Sequence, residues 1–215
     1  MKIVNVEQGT IEWLECRYGK IGGTLSKGLT VKSDTLMLHL IAEMLEDFEP
    51  EDTYVSSDMQ RGNDLEPFAR IEAEKYIGIK FIQHGWLQSE ECELIGISPD
   101  GLSECETVAI EIKCPSAKKH IETVINNEIP SDNIDQCIHY FTVNPKLEKL
   151  YFISYRPENK IRPLFVKLAT RETIVNIGTK AKQVNVSIDD TSKDRLKSAI
   201  ELQEQIVEKI ESLTF

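Results

Sequence analysis

Two acids and a lysine in this chain are spaced for metal-assisted chemistry. Ser98-Pro99-Asp100-Gly101 sets one carboxylate on a turn, and Glu111-Ile112-Lys113 follows with an acid and a lysine on either side of an apolar residue. Phosphodiester hydrolysis needs charge neutralised on the phosphate and an activated water, and divalent metal supplies both. Magnesium takes hard oxygen ligands, with one or two carboxylates and the rest water and phosphate. Asp100 and Glu111 fit that requirement, and the Ile112 backbone carbonyl is a further candidate ligand. Side chains alternate along a strand, so Glu111 and Lys113 share a face while Ile110 and Ile112 point to the core. A lysine beside phosphate and water orients the attack and stabilises developing charge. Each piece alone has a plain structural reading: Pro-Asp-Gly is a common turn, and Glu-Ile-Lys suits a half-exposed strand.

The elements that must hold these residues follow from periodicity. Glu93–Ile97 and Thr107–Ile112 read as strands, and the polar stretch between them predicts an antiparallel hairpin. Ser33 or Asp34 is placed to cap a helix carrying Leu36, Leu40, Ile41, Met44 and Leu45. A second helix is expected from Asp64, with Leu65, Phe68, Ala69, Glu72 and Tyr76. Helices near Ala117–Ile125 and Asp132–Val143 follow Pro115 and Pro130. Leu150–Tyr155 and Ile161–Leu168 read as strands, and a long helix spans about Asp190 to Ser212. No repeat or linker divides the chain, so residues 1–215 read as one domain. The fold class expected is α/β, a central mixed sheet flanked by helices.

In the helix before Val143, Ile134, Cys137, Ile138 and Phe141 make an apolar stripe. Gln136 and Tyr140 fall on the other side, one turn apart, facing either a site or solvent. Near the N-terminus, Trp13-Leu14-Glu15-Cys16-Arg17 precedes Gly22-Gly23-Thr24. Arg61-Gly62 precedes Glu66, which Asn63 could also enlist in a capping box.

Composition narrows the classes. The chain has 215 residues, 40% apolar and 28% charged, as in an ordinary globular protein. There is no apolar run of membrane-spanning length. The N-terminal Met1–Glu7 is too polar for a secretory signal, so a cytoplasmic location is expected. The five cysteines show no CxxC pair and read as reduced, mostly buried thiols. The net charge of −11 is opposite to that of most nucleic-acid binders. It is uneven: Glu43, Glu46, Asp47, Glu49, Glu51 and Asp52 crowd together, whereas Lys146 to Lys182 is rich in Lys and Arg, including Arg171 and Lys180. A local basic face is compatible with an acidic whole. No GxxxxGK[ST] phosphate loop occurs, which argues against ATP-driven work.

With Pro99-Asp100 and Glu111-Ile112-Lys113 as its centre, the chain resembles the PD-(D/E)xK nuclease superfamily, with its restriction-endonuclease-like core. From Trp13 to Tyr140 it resembles, more narrowly, the lambda exonuclease (YqaJ-type viral recombinase) family of phages and prophages. The resemblance implies that Asp100, Glu111, Lys113, Glu66 and Gln136 form the catalytic centre, with Tyr140 in support. It implies Asp100, Glu111 and the Ile112 carbonyl as metal ligands. Arg17, Thr24 and Ser98 would then bind the 5'-phosphate of DNA, where an Arg fork with hydroxyl donors is chemically apt. The implied cofactor is Mg2+, two ions per site, with Mn2+ able to substitute. The implied activity is a 5'-to-3' exonuclease on linear duplex DNA, releasing 5'-mononucleotides and leaving a 3' single strand. The implied partners are double-stranded DNA ends, a single-strand annealing protein and two further copies in a homotrimeric ring, in a bacterial host. Two rival readings are a restriction-like endonuclease and a non-catalytic DNA-binding or assembly module.

Overall fold

The Glu-Ile-Lys strand lies inside a four-stranded mixed sheet. The computed structural model describes residues 1–31, 34–50, 56–179 and 182–213. In chain order the elements are β1 (Lys2–Val4), α1 (Ile11–Arg17), α2 (Gly28–Val31), α3 (Asp34–Leu45) and α4 (Ser57–Ile77). Then come β2 (Trp86–Gln88), β3 (Gly96–Ile97), β4 (Gly101–Leu102), β5 (Val108–Lys113), α5 (Ala117–Asn126) and α6 (Ser131–Val143). β6 (Lys149–Tyr155), β7 (Leu164–Thr170), β8 (Ile174–Thr179), β9 (Lys182–Ser187) and α7 (Ile188–Leu213) follow.

The main sheet has the order β4-β5-β6-β7. β5 and β6 are parallel, with Glu111 opposite Phe152, and the other two pairings are antiparallel. A parallel pair needs a long crossover, and α5 with α6 supplies it. Alternation divides the sheet's residues between two cores. Ala109, Leu150 and Phe152 join a cluster with Cys137, Ile138 and Phe141 of α6 and Ala199 and Ile206 of α7. Val108, Ile110, Ile112 and Ile153 join Ala69 and Ala73 of α4 on the other face. With both faces covered, β5 is buried from Val108 to Ile112. The half-exposed reading of Glu-Ile-Lys therefore holds only at Lys113, since Glu111 and Ile112 are buried in a strand covered on both faces.

Local chemistry sets the ends of the helices that matter here. Thr10 caps α1, its hydroxyl accepting from Trp13 N at 3.3 Å. Ser56 caps α4, and Gly78, at φ 78, closes it in the left-handed region. Ser187 precedes α7 and accepts from Asp190 N at 3.0 Å while donating to its carboxylate at 2.6 Å.

The structure departs from the periodicity reading in several places. The expected hairpin is made by β4, not by the 93–97 run. Gly101 pairs with Ile110, whereas Gly96 pairs with Gln88 in a separate sheet of order β1-β2-β3. Gly101 permits the close pairing, since a Cβ there would lie 2.8 Å from both Ile110 Cγ1 and Phe81 Cβ. The second helix begins at Ser57 rather than Asp64, so Asn63 and Glu66 are interior and no capping box exists between them. Pro67 sits inside that helix, and the polar first two turns, Ser57 to Asn63, lie outside the apolar spacing that starts at Leu65. The β7 strand begins at Leu164, and Ile161 is 95% exposed. β1, β2, β8 and β9 had no counterpart in the periodicity reading. No disulfide occurs, yet only Cys92 and Cys137 are buried and Cys105 is exposed. Ser33, Glu51, Asp52 and Lys180 lie outside the described residues. Among those described, no helix is long and apolar enough to cross a membrane.

Candidate active site

The carboxylate of Glu111 is the buried centre of a polar cluster. Its residue is 0% exposed in the middle of β5. Oε2 accepts from the Tyr140 hydroxyl at 2.7 Å, and Oε1 lies 2.5 Å from Lys113 Nζ. The shared face expected of Glu111 and Lys113 is thus observed. Lys113 reaches solvent at 35% exposure, so it links the buried acid to the surface. Burial opposes its charge, but Glu111 and Asp100 outweigh that and hold its pKa above the ordinary lysine value.

Asp100 precedes β4 and approaches from the neighbouring strand. Its Oδ2 accepts from Ile112 N at 2.6 Å. A strand residue's N–H and C=O point to the same side, so the Ile112 carbonyl also faces the edge that short β4 leaves open beside Asp100. Burial first, then Glu111 and Glu66, push the Asp100 carboxyl well above its ordinary range. Glu66 comes from the other side on α4. Burial raises its pKa too, against the pull of Arg70. Arg70 ties the acids together, donating from NH2 to Glu66 Oε1 at 2.6 Å and from Nε to the Asp100 carbonyl at 2.7 Å. Gln83 donates to the same Glu66 oxygen at 3.0 Å.

These contacts test whether the residues suit a divalent cation. Burial first, and then the neighbouring carboxylates, raise the pKa of Asp100 and of Glu66 against the pull of Lys113 and Arg70, so negative charge is crowded in a confined space. Glu111 Oε1 is buried and receives no hydrogen bond of good geometry. Among the described residues no three His, Cys, Asp or Glu side chains form a ready metal cage. Two carboxylates and a backbone carbonyl, all hard oxygens, instead fit a magnesium site that leaves room for water and phosphate.

A second set of donors sits beside this cluster. Arg17, the last residue of α1, stacks its guanidinium 4.1 Å from the centroid of Trp13. Its N–H groups make no hydrogen bond with the described residues. Burial lowers its pKa, a cost to the cation that an anion would offset. Trp13 Nε1 donates to Ser98 Oγ at 2.8 Å and to the Gly85 carbonyl at 3.0 Å. Since Ser98 Oγ accepts that bond, its own hydrogen is left to donate. Thr24 lies exposed on a turn and, with Arg17, lines an open groove of about 850 Å³. Glu43, Glu46, Asp47 and Glu49 line the same groove. Gln8 holds the turn before Asp100, donating to the Pro99 carbonyl at 3.0 Å.

α6 joins the two sets. Tyr140 is buried, not on a solvated face, and bonds Glu111, while its oxygen lies 3.4 Å from Asp100 N. His139 Nε2 faces the carbonyls of Ile21 at 3.2 Å and Gly96 at 3.0 Å. Gln136 packs on the Gly22–Ser26 turn, where a Cβ at Gly23 would lie 2.9 Å from its Cγ. Arg61, by contrast, is drawn to the surface in a two-point pair with Glu158, at 2.9 and 2.8 Å. The expected basic face is partly spent on structure. Arg171 bonds the carbonyls of Leu147, Asn144 and Pro145 and the carboxylate of Asp189.

Of the residues expected in one centre, the structure brings Asp100, Glu111, Lys113 and Glu66 together, whereas Gln136 makes no hydrogen bond to them. Sequence reasoning missed Arg70 and Gln83, which bond Glu66, Gln8, which holds the Pro99 carbonyl, and the bond from Trp13 to Ser98. Only the aromatic-then-arginine spacing of Trp13 and Arg17, one helical turn apart, carried a readable signal.

The family description "YqaJ-like viral recombinase domain" matches residues 12–146. No protein of curated function matches the chain. Among solved structures, the alkaline exonuclease LHK-Exo from Laribacter hongkongensis is similar with a TM-score of 0.73 at 23% identity, covering 95% of this chain and 96% of that one. The same exonuclease in complex with dAMP gives 0.67 at 22% identity, covering 94% and 97%. A phage-related exonuclease from Haemophilus somnus 129PT gives 0.51 at 13% identity, covering 90% and 97%. At these identities the likeness is one of fold, and it extends through the C-terminal third.

Proposed function

For a chain that belongs to the YqaJ-like viral recombinase domain family, we propose a metal-dependent exonuclease that digests linear duplex DNA from its 5' ends. The reading includes release of 5'-mononucleotides and a 3' single strand left for an annealing partner. It also includes one domain that assembles as a homotrimeric ring in the bacterial cell. The observation that carries it is Glu111, a fully buried acid whose Oε1 is ion-paired with Lys113 and whose Oε2 accepts from Tyr140, with the Asp100 carboxylate beside it.

Asp100, Glu111 and the Ile112 carbonyl would hold Mg2+ or Mn2+, two ions per site, with Glu66 behind them. When bound, the metal supplies charge neutralisation and a more acidic water. The protein's own parts do the rest. The Tyr140 hydroxyl fixes the Glu111 carboxylate, and the hydrogen bond from Ile112 N fixes that of Asp100. Lys113 presents its ammonium at the boundary between acid and solvent, where it orients the attacking water and steadies charge on the phosphate. Gln136 packs against Gly23 of the turn that bears Thr24. Arg17, Thr24 and Ser98 offer unspent donors to a terminal 5'-phosphate, and the acids Glu43, Glu46, Asp47 and Glu49 lining the same groove disfavour DNA running on past that end. This asymmetry favours end recognition over internal cutting.

The test is linear 5'-phosphorylated duplex, with and without Mg2+, beside a closed circular duplex. The proposal expects Mg2+-dependent loss of the linear DNA only. Efficient cutting of the circle would favour an endonuclease, and no loss of either would leave a DNA-binding module.

A further inference from the structure

The C-terminal helix reaches the end-binding turn through an ion pair whose arginine is buried. Arg195 of α7 is 2% exposed. Its NH1 donates to the Asp135 carbonyl at 2.9 Å and its NH2 to the Asp135 carboxylate. Asp135 lies next to Gln136 on α6. The same Asp135 carbonyl lies 3.2 Å from Ser26 Oγ, which donates to the Gly23 carbonyl at 2.7 Å. Ser26 is fully buried. The Gly22–Ser26 turn, which presents Thr24, is therefore pinned to the α6 backbone at the point that Arg195 grips from behind.

Stability alone is a poor reason for this pair. A buried ion pair gains little over well-packed apolar side chains, because desolvation offsets the attraction. Here the guanidinium is also incompletely satisfied, since its Nε is buried without a partner. What the pair gives is register. A guanidinium that bonds a residue's carbonyl and its carboxylate together fixes both the rotation and the axial position of α6 at that residue. Rotation of α6 about Asp135 would carry Gln136 across Gly23 and shift the turn. Another α7 contact, Gln203 to the Leu94 N–H at 3.1 Å, holds a different loop and makes no bond to this turn.

We propose that Arg195 is a positioning residue for 5'-end recognition, acting through Asp135 and Ser26 on the turn that carries Thr24 and on Gln136. The inference rests on the exonuclease reading above.

The experiment compares wild type with Arg195→Met, Arg195→Lys and Gln203→Leu on matched duplexes with 5'-phosphate or 5'-hydroxyl ends. Arg195→Met should raise KM for phosphorylated ends about tenfold, with kcat falling less than about threefold, and so collapse the phosphate preference. Arg195→Lys keeps the charge but cannot span carbonyl and carboxylate together, so its preference should be intermediate. Gln203→Leu should lower the melting temperature while the phosphate preference stays as in wild type. Wild-type discrimination in whichever Arg195 variant folds would overturn the inference alone. A wild type indifferent to the 5'-phosphate would overturn the end-recognition reading and the inference with it.

Discussion

The Tyr140 hydroxyl donates to Glu111 Oε2 at 2.7 Å across the interface of α6 and β5. Both residues are buried, so the tyrosine takes the place of water in solvating one oxygen of the acid. Tyr140→Phe leaves that oxygen without a donor. Hydrogen bonds to buried charged groups are worth about 1.5–3 kcal/mol. The variant should melt lower by a corresponding amount in the absence of divalent metal, and Mg2+ should restore part of the loss. Calorimetry with and without Mg2+ measures both; equal melting of the variant and wild type in metal-free buffer would show that the bond is idle.

Lys113→Ala should reduce hydrolysis by about 100-fold or more, the scale of losing a charge-stabilising donor. DNA binding should persist, since the phosphate donors lie on α1 and the turns. Turnover and fluorescence anisotropy on the same duplex separate the two; near-normal turnover would remove the lysine from the chemistry.

Arg17→Ala should lower the preference for 5'-phosphate over 5'-hydroxyl ends by about tenfold, as expected for a charge-assisted contact. The stacked geometry on Trp13 means that Arg17→Lys should not restore it fully. Competition between the two end types is the measurement, and an unchanged ratio would count against Arg17 as a phosphate ligand.

His139 makes stability depend on pH. Its Nε2–H serves two carbonyls, and Nδ1 is buried without a partner. Burial lowers its pKa from 6.5 to about 4, and Arg195 adds to the effect. Above pH 6.5 both folded and unfolded chains hold it neutral and it contributes no slope. Below 6.5 the unfolded chain gains a proton that the folded one refuses, so stability falls as pH falls toward 4. The loss approaches about 3 kcal/mol. Denaturant midpoints from pH 7.5 to 4.5 should show a steeper fall for wild type than for His139→Gln; parallel curves would contradict the buried neutral imidazole.

The acids and the lysine were legible because strand alternation is local: Glu111 and Lys113 share a face whatever surrounds them. Asp100 was legible because a turn must precede its strand. Tyr140 was only half legible. Helical spacing separated it from the apolar stripe, but it could not reveal that α6 is covered on that side too, by the β5 acid and the 21–26 turn. Glu66 was found by resemblance, while its helix start was placed too late because the polar first two turns of α4, from Ser57, carry no apolar stripe. The orienting groups were illegible because their partners are far away in the chain. Arg70 serves the Asp100 carbonyl, Trp13 serves Ser98, and Arg195 serves Asp135. Such pairings depend on how the helices pack, and no spacing within one segment encodes that.

The central claim is that Glu111 is a metal-holding catalytic acid rather than a buried structural one. Wild type and Glu111→Ala are incubated with linear 5'-phosphorylated duplex while Mg2+ is titrated, with folding monitored by circular dichroism. The account predicts that wild type releases 5'-mononucleotides only with Mg2+, and that folded Glu111→Ala releases none at any Mg2+ concentration. Comparable Mg2+-dependent release by Glu111→Ala would contradict it.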